Sequence, residues 1–94
     1  MALEFEWDSR KATSNPSKHG VSFEEAATVF ADPLGRIVAD PRHSSDEERL
    51  VLLGVSRDQH LLAVMFVDRG GAIRIISARP ATKRERKDYE ETTE

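Results

Sequence analysis

The chain contains no cysteine. Disulfides and thiolate chemistry are therefore excluded, as fits a cytoplasmic protein. No long apolar run is present either. The longest, LLAVMFV at 61–67, is far too short to span a bilayer. The N-terminal stretch carries Glu4, Glu6 and Asp8 where a secretory signal would place basic residues and then an apolar run. An excess of basic charge is also missing. The formal net charge is −3, which argues against a nonspecific nucleic-acid binder. There is one tryptophan, and Trp7 is read as core rather than as a platform for bases. No P-loop, GxGxxG, HExxH or Cys–His pair occurs, and there is no internal repeat or low-complexity linker.

What is present is an ordinary globular balance. The 94 residues are 38% apolar and 33% charged, enough for one domain over 1–94 with a modest core. Charge is unevenly spread. Arg74, Arg79, Lys83, Arg84, Arg86 and Lys87 cluster against Glu85, whereas SSDEE at 44–48 and the tail from Asp88 to Glu94 hold much of the acid.

LEFEW at 3–7 alternates apolar and acidic residues and reads as a half-buried strand. Asp8 is placed to cap a helix from Ser9, and Asn15-Pro16 interrupts that helix. Gly20 reads as its stop. Ser22-Phe23-Glu24-Glu25 is a capping box, and Phe23, Ala26, Ala27 and Phe30 recur at helical spacing. Strand-like runs follow at 35–40, 49–56, 61–68 and 72–79, of which LLAVMFVD is apolar on both faces and reads as central. Thr82-Lys83-Arg84-Glu85 is a second capping box opening a helix with little apolar face beyond Ala81 and Tyr89. Strands joined by short turns predict an antiparallel meander. The expected class is α+β: an antiparallel sheet with two N-terminal helices and one C-terminal helix.

The chemistry-bearing residues are cations and rings. Lys18-His19 offers a point charge and a group that titrates near neutrality, which suits phosphodiester cleavage through a 2′-hydroxyl; simple helix punctuation is the plainer alternative. Arg74 and Arg79 flank the last strand and can fork phosphate oxygens. Five residues apart on an unbroken strand, they point to opposite faces. Lys83, Arg84, Arg86 and Lys87 lie in the first turns of the last helix, where the macrodipole disfavours cations and an anionic partner would offset the cost. Arg86 and Tyr89 share a helix face, suited to one base or phosphate. His60 falls in a turn and reads as exposed. His43 with Asp46, Glu47 and Glu48 could bind a divalent metal, though the spacing fits no specific motif and a solvated acidic loop or a seat for a basic partner is the plainer reading.

KHGVSFEEAATVFADP (18–33) and RIISARPATKRERKDYE (74–90), with FEWD (5–8), Asn15 and EERLVLLGVS (47–56), closely resemble the BrnT family, the toxins of a bacterial type II toxin–antitoxin system. Pro16 departs from that family's pattern. The resemblance covers nearly the whole chain. It implies a compact RelE-like ribonuclease that arrests growth by cutting RNA with no metal or other cofactor. It also implies a BrnA-type antitoxin, held in a complex with two copies of each chain, through which alone operator DNA is bound. Carried over by motif, the catalytic candidates are Lys18, His19, Arg74, Arg79 and Tyr89, and the RNA-binding candidates are Lys83, Arg84 and Arg86. Two rival readings follow from the residues: a non-catalytic RNA- or partner-binding module, and a metal-dependent nuclease built on residues 43–48.

Overall fold

The computed structural model describes residues 3–39 and 48–92. Its elements run β1 (Phe5–Glu6), α1 (Ser9–His19), α2 (Phe23–Thr28) with a 3-10 turn at Val29–Ala31, β2 (Arg36–Ala39), β3 (Leu50–Val55), β4 (Leu61–Asp68), β5 (Ile73–Pro80) and α3 (Lys83–Thr92). One sheet of order β1-β5-β4-β3-β2 joins the strands. The meander β2 to β5 is antiparallel as the turns predict. The sheet as a whole is mixed, because β1 pairs in parallel with β5. β1 has no hairpin partner in sequence, so it completes the sheet at the far side of the last strand to arrive.

Side-chain alternation divides the core in two. Leu52, Leu62, Val64 and Phe66, with Ile73, Ile75 and Ala78, pack against Val21 from the link after α1, Phe23 and Ala26 from α2, and Val29 from the 3-10 turn. Trp7 meets Phe23 edge-on at 5.7 Å and Phe30 meets Phe66 at 5.0 Å, geometries that add to simple burial. Trp7 is thus core. The other face is thinner: Val51, Leu53 and Ala63 are covered by Val38, Met65 and Tyr89. β4 is apolar on both faces and lies at the sheet's centre. No helix among the described residues is long and apolar enough to cross a membrane.

Two local features differ from the sequence expectation. α1 is not interrupted at Pro16 but runs through it to His19. The missing amide is tolerated because Asn15, 5% exposed, anchors the helix end. Its Nδ2 donates to the carbonyls of Val21 and Ala78, both at 2.8 Å, and its Oδ1 accepts from Ala78 N and Ser77 Oγ at 3.4 Å. β1 pairs only with Ile73 and Arg74, so Asn15 serves the fully buried Ala78 backbone beyond that point. Second, β5 carries a bulge. Ile75 sits opposite Phe66 and Ser77 opposite Met65, leaving Ile76 over.

Candidate active site

α1 ends in a left-handed glycine. Gly20 has φ 72° and its amide donates to the Pro16 carbonyl at 2.8 Å, the conformation that glycine adopts without a Cβ penalty. Lys18 and His19 occupy the last turn, where the helix dipole favours them. Both are exposed. They line a cleft of about 230 Å³ with Lys11, Ser14, Asn15, Ile76 and Ser77. The bulge forms its floor and the Asn15 anchor its wall. Lys11 is a member that sequence reading misses. The signal was its helical spacing, since residues 11, 14 or 15, and 18 fall on one face.

The bulge also changes the geometry of the two strand arginines. Arg74 lies opposite Val67 and Arg79 opposite Ala63, and those β4 positions share a face. Arg74 and Arg79 therefore point the same way, contrary to the unbroken-strand expectation, about 13 Å apart at the usual strand rise. Each is held by a carboxylate. Arg74 Nη1 donates to Glu6 at 3.0 Å. Arg79 forks both oxygens of Glu85 at 2.6 and 2.9 Å. That arginine fork, ahead of any other influence, holds the Glu85 carboxyl below its usual range.

Tyr89 is not brought to this cleft. Its hydroxyl donates to Asp32 Oδ2 at 2.7 Å under the sheet, and burial first, then the hydrogen bond to Asp32 and its charge, push the phenol pKa up to about 12. Asp32 also accepts from the amides of Leu34 and Val55 at 2.9 and 2.8 Å. The ring therefore braces α3 against β3, and it does not share a site with Arg86 despite their spacing. Arg86 turns to a second cleft of about 300 Å³, where Gly20, Gln59, His60 and Pro80 also contribute to the lining. Lys83, Arg84 and Lys87 are exposed at the start of α3.

His60 is not merely a turn residue. Its Nδ1 lies 2.7 Å from Oε2 of Glu25, which also accepts from Ser56 Oγ at 2.7 Å. Neither contact was visible in the sequence, where 35 residues separate Glu25 from His60. Burial opposes ionisation of Glu25, but the Ser56 and His60 hydrogen bonds and the nearby Arg57 charge outweigh it and hold the carboxyl below its usual range. Of the metal candidates, His43, Asp46 and Glu47 lie outside the described residues, and Glu48 is exposed. Among the described residues no group of three or more acidic or histidine side chains is placed to hold a metal.

A small α+β fold with cationic clefts beside its last strand has a crystallographic counterpart. The 1.1 Å structure of the Brucella abortus ribonuclease toxin BrnT superposes with a TM-score of 0.62 at 25% identity, over 87% of this chain and 100% of that one. A model of the ribonuclease toxin BrnT of type II toxin–antitoxin systems matches residues 7–85, and the chain belongs to that family. A search of curated proteins returns no match.

Proposed function

We propose that the chain is a metal-independent endoribonuclease toxin that stops translation and growth by cutting RNA in the cytoplasm, and that a BrnA-type antitoxin neutralises it in a two-to-two complex. Operator DNA is then bound through the antitoxin alone. Membership of a family of ribonuclease toxins supports the reaction class. The observation that carries the chemistry is the cleft beside α1. Lys11, Lys18 and His19 line it together, and among the described residues Lys18 and His19 have no carboxylate partner.

In this reading His19 takes the proton of the 2′-hydroxyl, and Lys18 with Lys11 stabilises charge building on phosphorus. Arg74 and Arg79 contact RNA only by exchanging Glu6 and Glu85 for phosphate. Lys83, Arg84 and Arg86 extend the cationic track along α3, and Tyr89 holds that helix in place. Incubating the purified chain with RNA, free and on translating ribosomes, in the presence of a chelator tests the proposal. New ends carrying cyclic or 3′-phosphate are expected, and His19→Ala is expected to reduce cutting by about 10²-fold or more with an unchanged melting temperature. Cuts that vanish with chelator, or full activity of His19→Ala, would overturn it.

A further inference from the structure

Glu25, Ser56 and His60 form a cluster that the cleft beside α1 does not use. Glu25 is 8% and Ser56 3% exposed, so a carboxylate has been taken out of water to hold a surface turn. The turn is fixed at several points. Ser56 Oγ accepts from the amides of Asp58 and His60 at 3.2 Å while donating to Glu25. The Arg57 amide donates to Thr28 Oγ1 at 2.9 Å, and Ser56 N donates to the His60 carbonyl at 2.8 Å. Gln59, between them, has φ 68°, a left-handed conformation that a glutamine adopts only when its surroundings impose it.

This turn presents one imidazole. An ionised carboxylate only accepts, so Nδ1 of His60 carries the proton and Nε2 is the nitrogen that gains and loses one. The His60 side chain is 63% exposed, and Nε2 has no partner among the described residues. The ring lines the second cleft together with Arg86 from α3. Gly20 lines that cleft too, and it directly follows His19, which lines the first. Two residues adjacent in the chain thus line the two clefts, His19 the first and Gly20 the second. The charged groups around His60 are Glu25 from α2, Arg57 and Asp58 from its own turn, and Arg86 from α3.

We propose that His60, oriented by Glu25, is the general acid of RNA cleavage, and that Arg86 holds a non-bridging oxygen of the same phosphate. This rests on the ribonuclease reading above. The 2′-oxygen bonds to phosphorus as its proton passes to His19, the P–O5′ bond breaks, and the imidazolium of His60 gives its Nε2 proton to the departing 5′-oxygen. The products are a 2′,3′-cyclic phosphate and a 5′-hydroxyl, with His19 left protonated and His60 neutral. Glu25 is a positioning residue. It fixes the tautomer and the direction of the ring.

His60→Asn separates chemistry from stapling, because the asparagine amide can still donate to Glu25 but cannot titrate. On ordinary RNA it is expected to cut about 10²- to 10⁴-fold more slowly than wild type while melting at the same temperature. On RNA with sulfur replacing the 5′-bridging oxygen, whose leaving group needs no proton, it is expected to match wild type. Glu25→Gln is expected to lower kcat with little change in KM on ordinary RNA and to match wild type on the sulfur substrate, since a glutamine amide no longer fixes which ring nitrogen of His60 faces the cleft. Arg86→Ala is expected to raise KM and lower kcat on both substrates. Wild-type cutting that persists unchanged in His60→Asn, or a sulfur substrate that fails to rescue it, would overturn the role of His60 alone. Absence of cutting by wild type on free RNA and ribosomes would overturn the ribonuclease reading and this role with it.

Discussion

The two capping boxes of this chain have the same sequence pattern and opposite uses. At the start of α3 the box closes: the Glu85 amide donates to Thr82 Oγ1 at 3.1 Å and the Glu85 carboxylate accepts from the Thr82 amide at 2.9 Å. At the start of α2 only half of it forms. The Glu25 amide donates to Ser22 Oγ at 3.0 Å, but the carboxylate turns away to Ser56 and His60. Glu85 thereby caps the start of its own helix and neutralises Arg79. Glu25 instead projects from its helix to hold a ring and a hydroxyl far along the chain. A local motif specifies a helix start reliably, but it does not specify where the acidic side chain spends its lone pairs.

The largest expected difference between the two is in stability. Glu25→Ala leaves the buried Ser56 hydroxyl and the His60 turn without an acceptor and is expected to cost about 3 kcal/mol in urea unfolding. Glu85→Ala removes a cap and one carboxylate from an exposed helix start, and about 1 kcal/mol is expected. Equal losses would show that Glu25 is an ordinary cap residue. The smallest effect is the acid dependence. Both carboxyls lie below their usual value of 4.5 in the folded chain. The unfolded state therefore binds protons first as pH falls, and the stability that each contributes is present above about pH 4.5 and lost below it. Glu25→Gln and Glu85→Gln should each flatten this acid limb, read from unfolding curves at successive pH values. A limb unchanged in both variants would mean that other carboxylates carry it.

Much of the fold was legible. The alternation of LEFEW, the apolar LLAVMFVD and the two capping boxes placed β1, β4, α2 and α3, because local periodicity and cap chemistry are short-range. What the sequence did not show depends on partners far away. Pro16 reads as a break until Asn15 is seen bonded to Ala78, and Arg74 and Arg79 read as opposed until Ile76 is seen as a bulge. The site was legible to the same extent. Lys18 and His19 stand out as a pair at a helix end, and they line one cleft. Tyr89 and Arg86 share a helix spacing but go to different places, because Asp32 holds the tyrosine hydroxyl on the far side of the sheet. Glu25 and His60 carried no local sign of each other.

Asn15 has a consequence beyond the shape of the cleft. Past Arg74 the outer margin of β5 has no neighbouring strand among the described residues, and such a margin invites another chain to add itself. A single side-chain amide occupies both backbone groups of Ala78 there. An extended peptide arriving at that margin finds the donor and the acceptor it needs already taken. The same residue that seats Lys18 and His19 beside the sheet therefore guards the sheet against its own kind.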